Sequence, residues 1–259
     1  MKTSVIIVGA NGRMGRVLSS IVSDHCEYEL GAMVDSRENI SKLPKLDCLV
    51  KDNVEDVLKE GIRGTIIDFS APSVSINSAN MAVHYKCPIV IGTTGFTDNQ
   101  KSELEQCALK TALFWSSNMS IGINSILKII PILTKALGDD YDIEMVELHH
   151  KHKKDSPSGT ALMLGECLAK AKDWNLPDVR VSARDGIIGE RPRVQIGIQA
   201  IRGGDVVGVH TIYFMGQGER IEVTHQAHSR ETFAMGALRA AKWLTDQNPG
   251  KIYNMLDVV

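Results

Sequence analysis

The sequence predicts an α/β chain in two parts: a doubly wound parallel sheet first, then an α+β domain whose sheet is mixed and largely antiparallel. Three observations lead there. Apolar, β-branched runs without polar alternation recur through residues 4–117. Helical patterns separate them, which marks strands buried on both faces. Near residue 120 the rhythm changes to a long helix, a strand, a second helix and three consecutive strand-like runs.

In order, Ser4–Ala10 is the first strand, and Arg13–Ser23 carries Met14, Val17, Leu18, Ile21 and Val22 at helical spacing. Tyr28–Asp35 is a second strand, Val54–Glu60 a short helix with Asn53 as cap, and Gly64–Ser70 a third strand. Pro72 opens a helix running to Tyr85. Pro88–Thr93, a helix over Asp98–Leu109 capped by Thr97 or Asp98, and Thr111–Ser117 complete the βα series. The second half reads as a helix over Ser120–Leu137 kinked at Pro131, a strand over Asp142–His149 and a helix over Ser158–Lys172. Strands Arg193–Ile201, Val206–Met215 and Arg220–Gln226 follow, with Gly203-Gly204 and Gly216-Gln217-Gly218 as hairpin breaks, and Glu231–Asp246 is helical. The expected domains are 1–120 for dinucleotide binding, joined by the tail 229–259, and 121–228 for substrate binding and oligomerisation.

Composition bounds the function. With 259 residues the chain can bury a core without staples. Lys+Arg 29 against Asp+Glu 31 gives a net charge of −2, so nucleic acid is not an expected partner, although one local cationic site stays open. No apolar run approaches the roughly 20 residues that span a bilayer, and the apolar stretch in MKTSVIIVGANG runs straight into a glycine turn. The five cysteines are widely spaced without a CxxC, which fits inert thiols in a reducing cytosol.

Gly9-Ala10-Asn11-Gly12-Arg13-Met14-Gly15 follows a strand and opens a helix. Glycines there permit a tight turn and close backbone approach, and the helix start offers N–H groups to a pyrophosphate. Asp35 ends the next strand 20 residues after Gly15, where an acid accepts from an adenosine ribose. Its charge favours NADH, whereas Arg37 leaves room for the 2′-phosphate of NADPH, so dual use follows with NADH slightly favoured. Gly92-Thr93-Thr94 and Ser116-Ser117-Asn118-Met119 end two further strands at the same edge, with backbone groups and hydroxyls suited to a nicotinamide or its ribose.

The densest signal is His149-His150-Lys151-His152-Lys153-Lys154, followed by Ser156-Pro157-Ser158-Gly159-Thr160. Ser158 is a natural N-cap, and Gly159 and Thr160 place N–H groups at a helix start. Cationic side chains before such an end form a receptor for an anionic small molecule, most simply a carboxylate. Zinc is disfavoured because the interleaved lysines repel a dication and no cysteine assists, so no metal is expected. His149 and Lys153 lie four apart and would share a face if the segment turns helically. Either can supply the proton that hydride delivery to an unsaturated acceptor requires.

These motifs, with the helix start Ser229-Arg230-Glu231-Thr232-Phe233-Ala234, resemble the 4-hydroxy-tetrahydrodipicolinate reductase (dihydrodipicolinate reductase) family over the whole chain. The resemblance implies NADH- or NADPH-dependent reduction of a cyclic dicarboxylate in the diaminopimelate route to lysine, with loss of water. It implies that His149 is a proton donor/acceptor and Lys153 a proton donor, with His150, Gly159 and Thr160 on substrate carboxylates. Gly9, Ala10, Asn11, Gly12, Arg13, Met14, Asp35, Gly92, Thr93, Thr94, Ser116, Ser117, Asn118 and Met119 would line the cofactor. It also implies a cytoplasmic homotetramer assembled through the second domain's sheet. Two positions depart from the family pattern: Ser36 stands where an arginine often follows the ribose acid, which weakens NADPH preference, and Asn11 replaces a small residue. Two other readings share the scaffold. A dehydrogenase for another aspartate-derived carboxylated substrate would have the glycine turn without needing the carboxylate-binding helix end. A non-catalytic nicotinamide sensor would need no proton donors.

Overall fold

The computed structural model describes residues 2–259. In chain order it forms β1 (Thr3–Val8), α1 (Arg13–Asp24), β2 (Tyr28–Val34), α2 (Arg37–Ile40), β3 (Leu49–Lys51), α3 (Val54–Lys59), β4 (Thr65–Asp68), α4 (Pro72–Tyr85), β5 (Ile89–Ile91), α5 (Asp98–Ala108) and β6 (Leu113–Trp115). There follow α6 (Ile121–Leu137), β7 (Asp142–His149), α7 (Gly159–Ala171), α8 (Leu176–Val179), β8 (Arg180–Val181), β9 (Ile196–Arg202), β10 (Gly208–Met215) and β11 (Arg220–Ala227). The chain ends with α9 (Glu231–Leu244), β12 (Ile252–Tyr253) and α10 (Met255–Val258). It divides into two compact units, one through Ile121 together with Arg230–Val259, the other Gly122–Ser229. Among the described residues no helix is long and apolar enough to cross a membrane.

The first unit is a seven-stranded sheet in the order β12-β6-β5-β4-β1-β2-β3, with every pairing parallel. Its central strand shows why the apolar runs do not alternate. Val5 and Ile7 pack with Leu18 and Val22 of α1 and Ala237 and Leu238 of α9. Ile6 and Val8 pack on the opposite face with Val57 and Leu58 of α3, Ala79 of α4 and Leu104 of α5. Both faces are covered, so every β1 position after Ser4 is apolar; each side chain so buried contributes roughly 1.5–3 kcal/mol. Strand order reverses between β1 and β4, which leaves a crevice at their carboxyl ends. Local chemistry sets the helix starts: Asn53 accepts from Asp56 N–H at 2.8 Å, and Thr97 with Gln100 forms a capping box on α5.

The second unit holds the order β11-β10-β7-β9-β8. Ile143, Met145, Ile198, Ile212 and Phe214 pack with Leu127 and Ile130 of α6 and Leu164 and Leu168 of α7. The sheet is mixed and, as expected, largely antiparallel: β11–β10 and β10–β7 pair antiparallel along nearly the whole of β10, whereas β7–β9 and the short β9–β8 ladder are parallel. The reason lies in the connections. Between β7 and β9 the chain passes through α7 and α8, a crossover long enough to bring the next strand back in the same direction. Gly216-Gln217-Gly218 is a hairpin, but Gly203-Gly204 is not, because β9 and β10 lie on opposite sides of β7. The Gly203 turn instead wraps over the end of β7, with Gly203 N–H on His149 C=O at 3.0 Å and His150 N–H on Val206 C=O at 2.8 Å. The short strands β3, β8 and β12 were not expected, since two or three residues carry no periodicity.

Candidate active site

In the first unit the turn after β1 is built by steric demand. Gly9 has φ +78°, and a Cβ there would lie 2.4 Å from Phe69 C=O oxygen. A Cβ on Gly15 would lie 2.2 Å from the Gly9 carbonyl oxygen, so the third glycine lets α1 pack against the turn. Gly12 is the N-cap of α1 and has no side chain to cap the first turn, which leaves its N–H groups for an anion. Gly9, Gly12 and Asp35 line one cleft of about 580 Å³ with Ser36, Asn39, Asp52, Asn53, Phe69, Ser70 and Asn77.

Asp35 also holds the turn together. It accepts Asn11 N–H on Oδ2 at 2.7 Å, and Ser36 N–H and Asn39 Nδ2–H on Oδ1 at 2.8 and 2.9 Å. A carboxylate has about four acceptor positions, so one remains on Oδ2. Arg16 clamps Asn11, donating to its C=O at 3.0 Å and to its Oδ1 at 2.7 Å. Ala10 is fully buried, whereas Arg13 is exposed and Met14 half-buried. Arg37 pairs through Nε with Asp52 on the cleft wall, and that contact holds the Asp52 carboxyl below its usual range.

The ends of β5 and β6 are tied to this cleft through Asp68, which is fully buried. Its Oδ1 accepts from Ser70 Oγ at 2.6 Å, Ser75 Oγ at 2.8 Å and Thr93 Oγ1 at 3.1 Å. Burial pushes this carboxyl up, against those bonds. Thr93 therefore spends its hydroxyl on Asp68, and its C=O accepts Trp115 Nε1–H at 3.1 Å. Gly92 sits under the Phe69 ring, where a Cβ would come within 2.0 Å of Cε1, while Thr94 is exposed. At the end of β6, Ser116 N–H reaches Ile91 C=O at 3.2 Å and Ser116 Oγ–H reaches Asn118 C=O at 2.8 Å. Ser117 is exposed and Met119 buried. These features fit a dinucleotide: a glycine cradle that a Cβ would fill, an uncapped helix start, and a carboxylate with one acceptor position free.

In the second unit, β7 ends in the His/Lys segment. The six side chains differ in their surroundings: His149 is buried, His150 and Lys153 are half-buried, and Lys151, His152 and Lys154 are exposed. The segment is a turn, not a helix, closed by Lys153 N–H on His150 C=O at 3.1 Å. Lys153 pairs with Asp155 at 2.9 Å, and its charge still bears on His149. Ser158 caps α7, accepting from Ala161 N–H at 3.1 Å, and lies 3.0 Å from His210 Nε2. Gly159 is exposed, with open space where a Cβ would be, and Thr160 is half-buried.

The principal residue that sequence reasoning missed is Glu147, fully buried on β7. It receives Arg202 in bidentate fashion, Nη1 on Oε2 and Nη2 on Oε1, both at 2.8 Å. Ser158 N–H reaches its Oε1 at 2.9 Å, and His149 Nδ1 lies 2.6 Å from its Oε2. Burial pushes the Glu147 carboxyl up, but Arg202, His149 and the Ser158 N–H outweigh it and hold it below its usual range. Burial pushes His149 down, partly opposed by Glu147 and assisted by Lys153 and Arg202. His210, its ring 5.1 Å from that of His149, is driven down to about 4 by burial and then by His149. Strand alternation places Glu147 on the same face as His149 and was the one available signal. Arg202 and His210 arrive by sheet register, with His149 beside Arg202 on β9 and Glu147 beside His210 on β10.

Two family models match the chain, dihydrodipicolinate reductase N-terminus over residues 3–119 and C-terminus over residues 122–259. The chain belongs to the dihydrodipicolinate reductase family. A 4-hydroxy-tetrahydrodipicolinate reductase of Desulfovibrio desulfuricans is 62% identical over 258 residues, covering 100% of both chains. One from Nitratidesulfovibrio vulgaris is 54% identical over the same length, again covering 100% of each. Among solved structures, dipicolinate-bound dihydrodipicolinate reductase from Paenisporosarcina sp. TG-14 aligns over 100% of both chains with a TM-score of 0.80 at 22% identity, and so shares the fold.

Proposed function

We propose that this chain reduces 4-hydroxy-tetrahydrodipicolinate to tetrahydrodipicolinate with loss of water, using NADH or NADPH, in the diaminopimelate route to lysine. The observation that carries the reading is the pairing of a buried, carboxylate-bound His149 with the start of α7, where Ser158 binds that same carboxylate. The names of the two relatives, 62% and 54% identical, supply the substrate.

The Gly9–Met14 turn, Asp35, Gly92–Thr94 and Ser116–Met119 hold the cofactor. Bound there, the reduced nicotinamide supplies a hydride. The remaining work falls to the second unit. His150 and the α7 start at Gly159 and Thr160 take the substrate carboxylates, because a ring N–H and the helix dipole both favour a negative group. Lys153 donates a proton, and His149 gives or accepts one at Nε2, the ring nitrogen that Glu147 does not touch. NADH is slightly favoured, since Asp35 repels a 2′-phosphate. Arg37, already beside the cleft on Asp52, permits NADPH as well.

The chain assembles as a homotetramer in the cytoplasm. Val146, Leu148, Val209, Tyr213 and Met215 stay half-buried on the sheet face away from α6 and α7, which supports assembly through that face. All five cysteines are free, as suits a reducing compartment. The test is direct. The protein is mixed with NADH or NADPH and freshly formed cyclic substrate made from pyruvate and aspartate semialdehyde, and the reduced-nicotinamide absorbance is followed. Substrate-dependent loss is expected; no loss with either cofactor refutes the reading.

A further inference from the structure

We propose that Glu147 is the positioning residue for His149: it locks the ring with Nδ1–H bonded and Nε2 as the nitrogen that exchanges protons. The proposal rests on the role given to His149 above.

Three of the four contacts on the Glu147 carboxylate come from groups that can only donate: two Arg202 nitrogens and the Ser158 N–H. An ionised carboxylate can only accept, so His149 must donate from Nδ1 in the fourth contact at 2.6 Å. With about four acceptor positions, Glu147 is then full. A neutral imidazole that carries its proton on Nδ1 has its lone pair on Nε2. Nε2 has no hydrogen-bond partner among the described residues. Gly208 helps keep it clear, because a Cβ there would stand 3.0 Å from Nε2.

Glu147 is itself immobilised. Arg202 is anchored on Asp155 C=O at 2.7 Å and Ile201 C=O at 2.8 Å, so the carboxylate has little freedom to rotate. The bond to Ser158 N–H ties the same carboxylate to the first turn of α7. One buried group thus sets the distance between the proton-exchanging nitrogen and the helix start where a substrate carboxylate is held.

The charges facing the ring define the readout. Glu147 lies on the ring's own strand, Arg202 comes from β9, His210 from β10, and Lys153 from the following turn, where Asp155 pairs with it. Among the groups acting directly on the ring, Glu147 alone is negative. Its removal leaves only cationic or neutral neighbours, which disfavour the imidazolium.

The test uses the full chain labelled with ¹⁵N-histidine, the His149 signals being assigned by their loss in His149→Asn. Neutral wild-type His149 is expected to carry its proton on Nδ1. In Glu147→Gln its titration midpoint should fall by roughly one pH unit or more. kcat should drop about tenfold or more, with the substrate KM and the NADH Kd changed by less than about threefold. An Nε2–H tautomer in the wild-type protein, or an unmoved midpoint in Glu147→Gln, overturns the proposal. A merely structural role would lower the melting temperature without moving the midpoint. If Glu147→Gln does not fold, the wild-type tautomer decides. The tautomer measurement needs no turnover, so it stands apart from the absorbance assay that tests the reductase reading.

Discussion

Replacing Asp35 with alanine separates the ribose contact proposed for it from its hold on the glycine turn. Three acceptor positions are filled by Asn11, Ser36 and Asn39, and one remains on Oδ2. A ribose hydroxyl donating to that charged oxygen is worth roughly 1.5–3 kcal/mol, equivalent to about 10- to 150-fold in Kd. Asp35→Ala also frees Asn11 N–H, which loosens the pyrophosphate turn for either cofactor. NADPH recovers part of its loss, because the carboxylate no longer repels the 2′-phosphate. The expected result is a large loss for NADH and a clearly smaller one for NADPH. Fluorescence titration of wild type and variant with each cofactor, at one fixed ionic strength, measures both. Equal fold losses would mean that Asp35 acts only through the turn, and would refute the ribose contact.

Other outcomes follow from the same geometry. Lys153→Ala should lower kcat by about 100-fold while leaving the NADH Kd near its wild-type value; steady-state kinetics with an unchanged kcat would remove Lys153 from proton transfer. Gly15→Ala places a Cβ 2.2 Å from the Gly9 carbonyl oxygen and 2.6 Å from Ala10 Cα, both backbone. Overpacking of that kind costs about 1–3 kcal/mol, so thermal melting should show a drop of several degrees, and an unchanged Tm would contradict the packing. His210 is held down to about 4 from 6.5, so the unfolded chain takes up a proton that the folded chain refuses. Stability is therefore complete above pH 6.5 and falls as the pH drops towards 4, by up to ~3 kcal/mol. His210→Gln should flatten that part of the Tm–pH curve; a slope identical to wild type would show that His210 is not the group responsible.

The candidate site was legible where neighbours in sequence are also neighbours in space. Gly9, Gly12 and Gly15 announce a turn because only glycine tolerates the approaches found there, and Ser158 announces a helix start because its hydroxyl caps the third residue on. Asp35 was readable as a candidate site residue, but not as the acceptor that pins Asn11, a contact 24 positions away. The cationic run looked like one receptor of six groups. The turn at His150–Lys153 sends three of them into solvent, and a charge run contains nothing that says which. Gly203-Gly204 looked like a hairpin because turn residues report a reversal but not the strand on which the chain then lands.

The sequence by itself determined the parallel sheet, the glycine cradle and the capped helix starts. Each of these follows from periodicity or from interactions within a few residues. Tertiary structure alone decided the surroundings of the candidate site residues. Arg202 reaches Glu147 across 55 positions, and His210 reaches Ser158 across 52. Both contacts exist because β9 and β10 flank β7 in a particular register. That register is set by the whole sheet packing on α6 and α7, and no local pattern encodes it.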